Sequence, residues 1–120
     1  MRVVLCAILV VVAIACVTVD SWAKYYRPEE VKCRLKSDPL LSGAASFFVP
    51  GLGQFFNGQD GKGLVHFVVA IILPAVVAYI AYILVPISPL AFAAPSLVYL
   101  LWAVYSALDA YNIAAEYCKP

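Results

Sequence analysis

The chain alternates between long apolar runs and short polar ones. Residues 3–19 hold sixteen apolar side chains and one Thr. Nine of the fifteen charged residues follow, between Asp20 and Asp38. Positions 40–63 mix small, aromatic and glycine residues. From Gly63 to Leu108, 46 residues pass without an Asp, Glu, Lys or Arg. A helix crossing about 30 Å of hydrocarbon needs about 20 residues at 1.5 Å each, so this stretch predicts two spans. Pro86-Ile87-Ser88-Pro89 predicts the break, because two prolines remove two backbone donors and bias their predecessors away from helix. The expected spans are 64–86 and 89–110, an antiparallel hairpin. Pro74 and Pro95 fall inside them, where neighbouring helices can take up the freed backbone groups.

The first run, 1–23, predicts a hydrophobic helix with two readings. Arg2, an apolar core and Ser21-Trp22-Ala23 fit a secretory signal with small residues at the cut. The same run also reads as a retained signal anchor. Lys24, Arg27, Lys32, Arg34, Lys36 and Lys62 follow it, and positive residues hold a loop in the cytoplasm. That bias favours the retained helix, with the hairpin's two ends and the C-terminus cytoplasmic.

Residues 24–38 predict a charged linker helix. Pro28 suits a first helical position, Glu29 and Glu30 its positive end, Arg34 and Lys36 its negative end, with Glu30 and Arg34 an i,i+4 pair. Asp38-Pro39 is a side-chain cap followed by Pro at N1, and predicts a short helix over 39–49. Ten or so residues cannot span, so an interfacial position is expected. Ser42, Gly43 and Ser46 share one stripe of it. A turn over 50–63 holds five of the six glycines, with Asn57-Gly58 and Asp60-Gly61 as turn pairs. The phosphate-loop spacing is absent from it: Phe56 stands where a first Gly would be, and Gly63 follows Lys62.

Pro50-Gly51-Leu52-Gly53-Gln54-Phe55-Phe56-Asn57-Gly58-Gln59, then Lys62-Gly63, closely resembles the signature of small prokaryotic membrane proteins related to the TM2 domain family. Trp102 and then Asp109-Ala110-Tyr111 match the ending of that pattern. The resemblance covers about residues 40–115. It implies a two-helix membrane module over 39–115, with 116–120 as a tail, and it implies no particular activity. In the narrower TM2 domain a basic residue stands near the place of Gln54, and the linker between helices is shorter.

Composition narrows the function classes. Hydrophobic residues make up 65% of the chain and charged residues 12%, against about 45–50% and about 25% in soluble domains; mean hydropathy is +0.94. A net charge of +1 supplies no field for nucleic acid. Each arm from its outer end to the break is about 30–38 Å, so Lys62 and Asp109 return to one interface, where Asp109 is expected to contact Lys62 or the N–H groups of Gly61–Gly63. Trp102, Tyr105 and Tyr111, with Phe55, Phe56 and Phe67, predict an aromatic belt on that side. Ala70, Pro74 and Ala78 form a small-residue packing face. His66, the one His, is expected to hydrogen-bond at the interface, since metal ligation would need partners the sequence does not place near it. Cys6, Cys16, Cys33 and Cys118 are scattered; reduced thiols are expected on a cytoplasmic side, disulfides only with a cleaved signal. No catalytic residues, cofactor, metal or small-molecule substrate is expected. The chain reads as an all-α, multi-pass cell-membrane protein and a non-enzymatic structural or accessory module. Its partners would be the bilayer and a second copy or another membrane protein. An oligomeric pore or transporter-associated subunit, and an exported-loop protein binding an external partner, are the alternatives.

Overall fold

The computed structural model describes residues 33–34, 38–84 and 89–118, together with eight separate positions between Cys6 and Ser21. The side chains of Leu90 and Ala91 are outside this description. The expected N-terminal hydrophobic helix and the Pro86–Pro89 break fall mostly on residues that are not described. Among the described residues, four helices follow in order: α1 (Pro39–Phe48), α2 (Leu52–Phe56), α3 (Asp60–Leu84) and α4 (Pro89–Tyr117). Of the charged linker, Cys33, Arg34 and Asp38 are described and none is helical. Arg34 pairs with Asp60 at 2.7 Å.

Local chemistry explains the helix starts. The Asp38 carboxylate accepts the Leu40 N–H at 3.1 Å, and Pro39 occupies N1, where it has no N–H to leave unsatisfied. Gly51 caps α2 with φ +99°, a left-handed conformation that only glycine reaches without strain. The Gln59 carbonyl then accepts the Gly63 N–H at 2.8 Å and opens α3.

The spans differ from their sequence limits. α3 begins at Asp60, not at 64, so Gly61 and Gly63 are helical and not part of the turn. Gly63 is needed there for closeness: a Cβ on it would lie 2.8 Å from the Gly51 carbonyl oxygen and 3.0 Å from the Phe55 ring. α4 continues to Tyr117, seven residues beyond 110. Its extension packs against α1, where Ser42, Gly43 and Ser46 are buried. Gly43 permits that approach, since a Cβ there would sit 3.2 Å from Tyr111 Cβ. The expected turn also contains α2, one short helix between two glycines.

α3 and α4 meet along single stripes. Ala70, Leu73, Val77 and Ala81 are buried on α3; Val98, Trp102, Ala103, Ala110 and Ala114 on α4. The recurrent step of four residues keeps each stripe on one face. Ala70 of the small-residue face is buried in this seam, and Pro74 and Ala78 are half-buried. The rest of each helix is equally apolar and outward: Leu64, Ile71, Ile72, Ile83, Leu97, Leu101 and Leu108 are all more than half exposed. Two helices, Asp60–Leu84 and Phe92–Tyr117, are long and apolar enough to cross a membrane, and only 22% of the most apolar stretch of each is buried. A soluble core helix would bury most of such a stretch.

The tightest approach lies at Gly53, where an added Cβ would collide with the Ser42 carbonyl oxygen of α1. Gly53→Ala is expected to abolish the ordered fold in detergent, read as loss of the near-ultraviolet circular dichroism. Gly61→Ala, exposed in the first turn of α3, is expected to be neutral or to stabilise by up to about 1 kcal/mol. Similar behaviour of the two variants would contradict the close approach.

Candidate functional site

Polar side chains concentrate where the glycine turn meets the ends of α3 and α4. Ser42, Ser46, Gln54, Asn57, Gln59, Lys62, His66 and Ser106 are all buried. A buried polar group is costly unless bonded, and the bonds here join four segments. Ser46 of α1 accepts the Gly53 N–H at 2.8 Å and donates to Gln54 Oε1 at 2.7 Å. Gln54 Nε2 donates both to the Ser106 carbonyl, at 3.1 Å, and to Asp109 Oδ2, at 3.0 Å. Ser42 Oγ donates to Asn57 Oδ1, and Asn57 Nδ2 to the Ala110 carbonyl, each at 3.0 Å. Ser106 Oγ accepts the Gly51 N–H at 3.0 Å.

The charges sit at the centre. Lys62 Nζ lies 2.6 Å from Asp109 Oδ1, with the lysine side chain 6% and the aspartate 19% exposed. Asp109 thus receives the ammonium on one oxygen and the Gln54 amide on the other. His66, fully buried, brings Nε2 to 3.9 Å of Asp109 Oδ2. Its ring lies parallel to Tyr105 at 5.8 Å and tilted to Trp102 at 5.3 Å. Trp102 Nε1 donates to the His66 carbonyl at 2.9 Å, fixing α4 to α3 one turn deeper.

Of the motif residues, Pro50, Gly51, Gly53, Gln54, Asn57, Lys62 and Gly63 are buried in or beside this cluster. Phe55 and Phe56 are half-buried; Phe55 covers Gly63, and the Phe56 carbonyl accepts the Arg34 N–H at 3.0 Å. Gly58, at φ +79°, ends the turn. The aromatic belt needs correction. Trp102 is 2% exposed and belongs to the core, with Tyr105 half-buried beside it; Tyr111 is 44% exposed. Trp102 donates to the buried His66 carbonyl, and both inner rings pack against the His66 imidazole.

In the sequence Ser42 and Ser46 read only as part of a small-residue stripe, Gln59 only as a member of the motif, and Ser106 carries no mark. Ser106 and Asp109 are three apart, hence on one helix face. That spacing, beside a turn rich in amides, was the available signal. Of the two states expected for the thiols, reduced on a cytoplasmic side or bridged with a cleaved signal, the structure has the bridged one for Cys33 and Cys118. Among the described residues no group of three His, Cys, Asp or Glu side chains converges on a metal position. Compared with protein families, curated proteins and solved structures, the chain matches none of them.

What this arrangement does chemically is neutralise a lysine and an aspartate out of water and fasten the turn to both helices. Ser106→Ala removes the acceptor of a buried backbone N–H and is expected to cost about 1–3 kcal/mol. Gln54→Leu takes the acceptor from the Ser46 hydroxyl and the amide donor from one Asp109 oxygen and from the Ser106 carbonyl, and is expected to cost more than Ser106→Ala. Reversible unfolding in mixed micelles measures both; losses below about 0.5 kcal/mol, the usual range of surface changes, would contradict the network.

Proposed function

We propose that the chain is a non-enzymatic integral membrane protein of the cell membrane, a helical-hairpin module with a structural or accessory role. The outward apolar faces of α3 and α4 carry this reading. Leu64, Ile71, Ile72, Tyr79, Tyr82, Leu97 and Leu101 are exposed around both helices, and water would reject so continuous a surface. Lipid accepts it. The polar side chains gather at one end, as an interfacial cap for the hairpin requires.

The non-enzymatic part of the reading draws on how the polar groups are used. Gln54, Asn57, Ser42, Ser46, Ser106, Lys62 and Asp109 bond to each other and to backbone. That is the behaviour of a fastening, whereas a catalytic constellation holds a nucleophile against a base. The relation to TM2-domain proteins rests on the motif residues. Gln54, Asn57 and Lys62 of the turn meet Asp109 and Ala110 of the ending in one cluster, which supports treating them as one module. The bilayer is the first partner. A second copy or another membrane protein is the further partner class for the exposed helix faces. Orientation is a separate matter from spanning: the Lys and Arg count draws the glycine-turn end to the cytoplasm, and the Cys33–Cys118 bond draws it the other way.

Alkaline carbonate washing of membranes from cells expressing the full chain tests the reading. The chain is expected to stay in the pellet and to leave it only with detergent. Release into buffer as a monodisperse species would overturn it.

A further inference from the structure

Cys33 and Cys118 lie 85 residues apart in sequence and are bonded, with Cα atoms 5.7 Å apart. Contacts other than the bond hold both partners in place. The Cys33 segment is pinned by the Arg34 N–H on the Phe56 carbonyl at 3.0 Å and by the Arg34 guanidinium on Asp60 at 2.7 Å. Cys118 directly follows α4, is 7% exposed, and its N–H reaches the Ala114 carbonyl at 3.0 Å. The two cysteines are thus presented to each other by separately anchored segments at a separation typical of disulfides.

Such a bond persists where the surroundings are oxidising and is reduced by the glutathione and thioredoxin pools of the cytosol. We infer that the glycine-turn end of the hairpin, with the residues flanking Cys33 and Cys118, faces an oxidising compartment and not the cytosol. The inference rests on the membrane-hairpin reading, because only a hairpin brings the start of α3 and the end of α4 to one side. The bridge forms by thiol–disulfide exchange. The Cys33 thiolate, the more exposed of the two, attacks the disulfide of an oxidant protein of that compartment and forms a mixed disulfide. The Cys118 thiolate then displaces the oxidant's sulfur. One S–S bond forms in this chain, two thiol protons are lost, and the oxidant leaves as a dithiol with the two electrons.

The charge bias points the opposite way. Charge bias is an average tendency of short loops, whereas the Cys33–Cys118 bond is a specific covalent contact that persists only in oxidising surroundings. With Arg2 on the cytoplasmic side, the apolar run that follows can deliver Cys33 to the outside, cut or kept.

The test uses the full chain in bacterial cells that have an oxidising periplasm. Free thiols are blocked in intact cells with N-ethylmaleimide; the chain is then denatured, reduced and tagged with a polyethylene-glycol maleimide. Two tags are expected, with none if the reduction step is omitted. The Cys6→Ser/Cys16→Ser variant is expected to keep both tags and Cys33→Ser to lose both. Zero tags on the unaltered chain overturns the inference. In a second arm, alkaline phosphatase fused after Pro120 is expected to be active and a green fluorescent protein fused there to be dark; the reverse pair also overturns it. If carbonate washes the chain off the membrane, the hairpin reading fails, and the tag count still reports the bridge separately.

Discussion

The Lys62–Asp109 contact is the constraint around which the rest of the molecule is arranged. An ammonium or a carboxylate taken out of water alone costs several kcal/mol, so neither residue tolerates burial without the other. Their 2.6 Å approach therefore fixes the first turn of α3 against the last third of α4. With that register set, the stripe of Ala70, Leu73, Val77 and Ala81 falls opposite Val98 and Trp102. A shift of one residue along either helix would turn small residues outward and bring bulky ones into the seam. Apolar packing alone does not select this register, because the membrane-length stretches of both helices are apolar around most of their circumference and lipid competes for those faces.

Supporting this pair demands a particular turn. Asp109 has a second oxygen to satisfy, and Gln54 supplies the donor at 3.0 Å. Gln54 can stand there because α2 is held down by Ser46 on the Gly53 N–H and by Ser106 on the Gly51 N–H. Gly51 and Gly53 are what let α2 come so near α1 and α3, since side chains at either place would meet backbone carbonyls. The glycines, the amides and the serines thus answer one requirement: bringing donors and acceptors to an ion pair without leaving a gap for water.

Much of the architecture is legible from residue order. The uncharged stretch beyond Gly63 announces two long helices, Asp38-Pro39 marks the start of α1, and counting residues along the two arms brings Lys62 and Asp109 to one level. What escaped depends on contacts between distant segments. Gly61 and Gly63 read as turn residues because glycine disfavours helix; in the fold both stand in the first turn of α3, and at Gly63 it is Gly51 and Phe55 that need the room. The run of α4 to Tyr117 is stabilised by α1 packing on it, which no pattern within 109–117 discloses. Trp102 and Tyr105 carry the composition of an interfacial belt, yet His66 on the other helix draws them inward. The pairing of Cys33 with Cys118 needs the fold to bring 85 residues of separation to 5.7 Å, and spacing alone says nothing of it.

A double-mutant cycle on the buried pair, run in lipid bilayers or bicelles, addresses the organising role of this contact most directly. Lys62→Met, Asp109→Leu and the double variant are compared with the unaltered chain by reversible unfolding. Removing one partner from a fully buried pair costs about 3–5 kcal/mol and replacing both with apolar side chains far less; with Asp109 19% exposed, the single losses here are expected toward the lower end. The expected result is two damaging single changes, a double variant more stable than either, and a coupling of about 2 kcal/mol or more. Single losses that simply add, with coupling under about 0.5 kcal/mol, would mean that the two side chains do not hold α3 and α4 together.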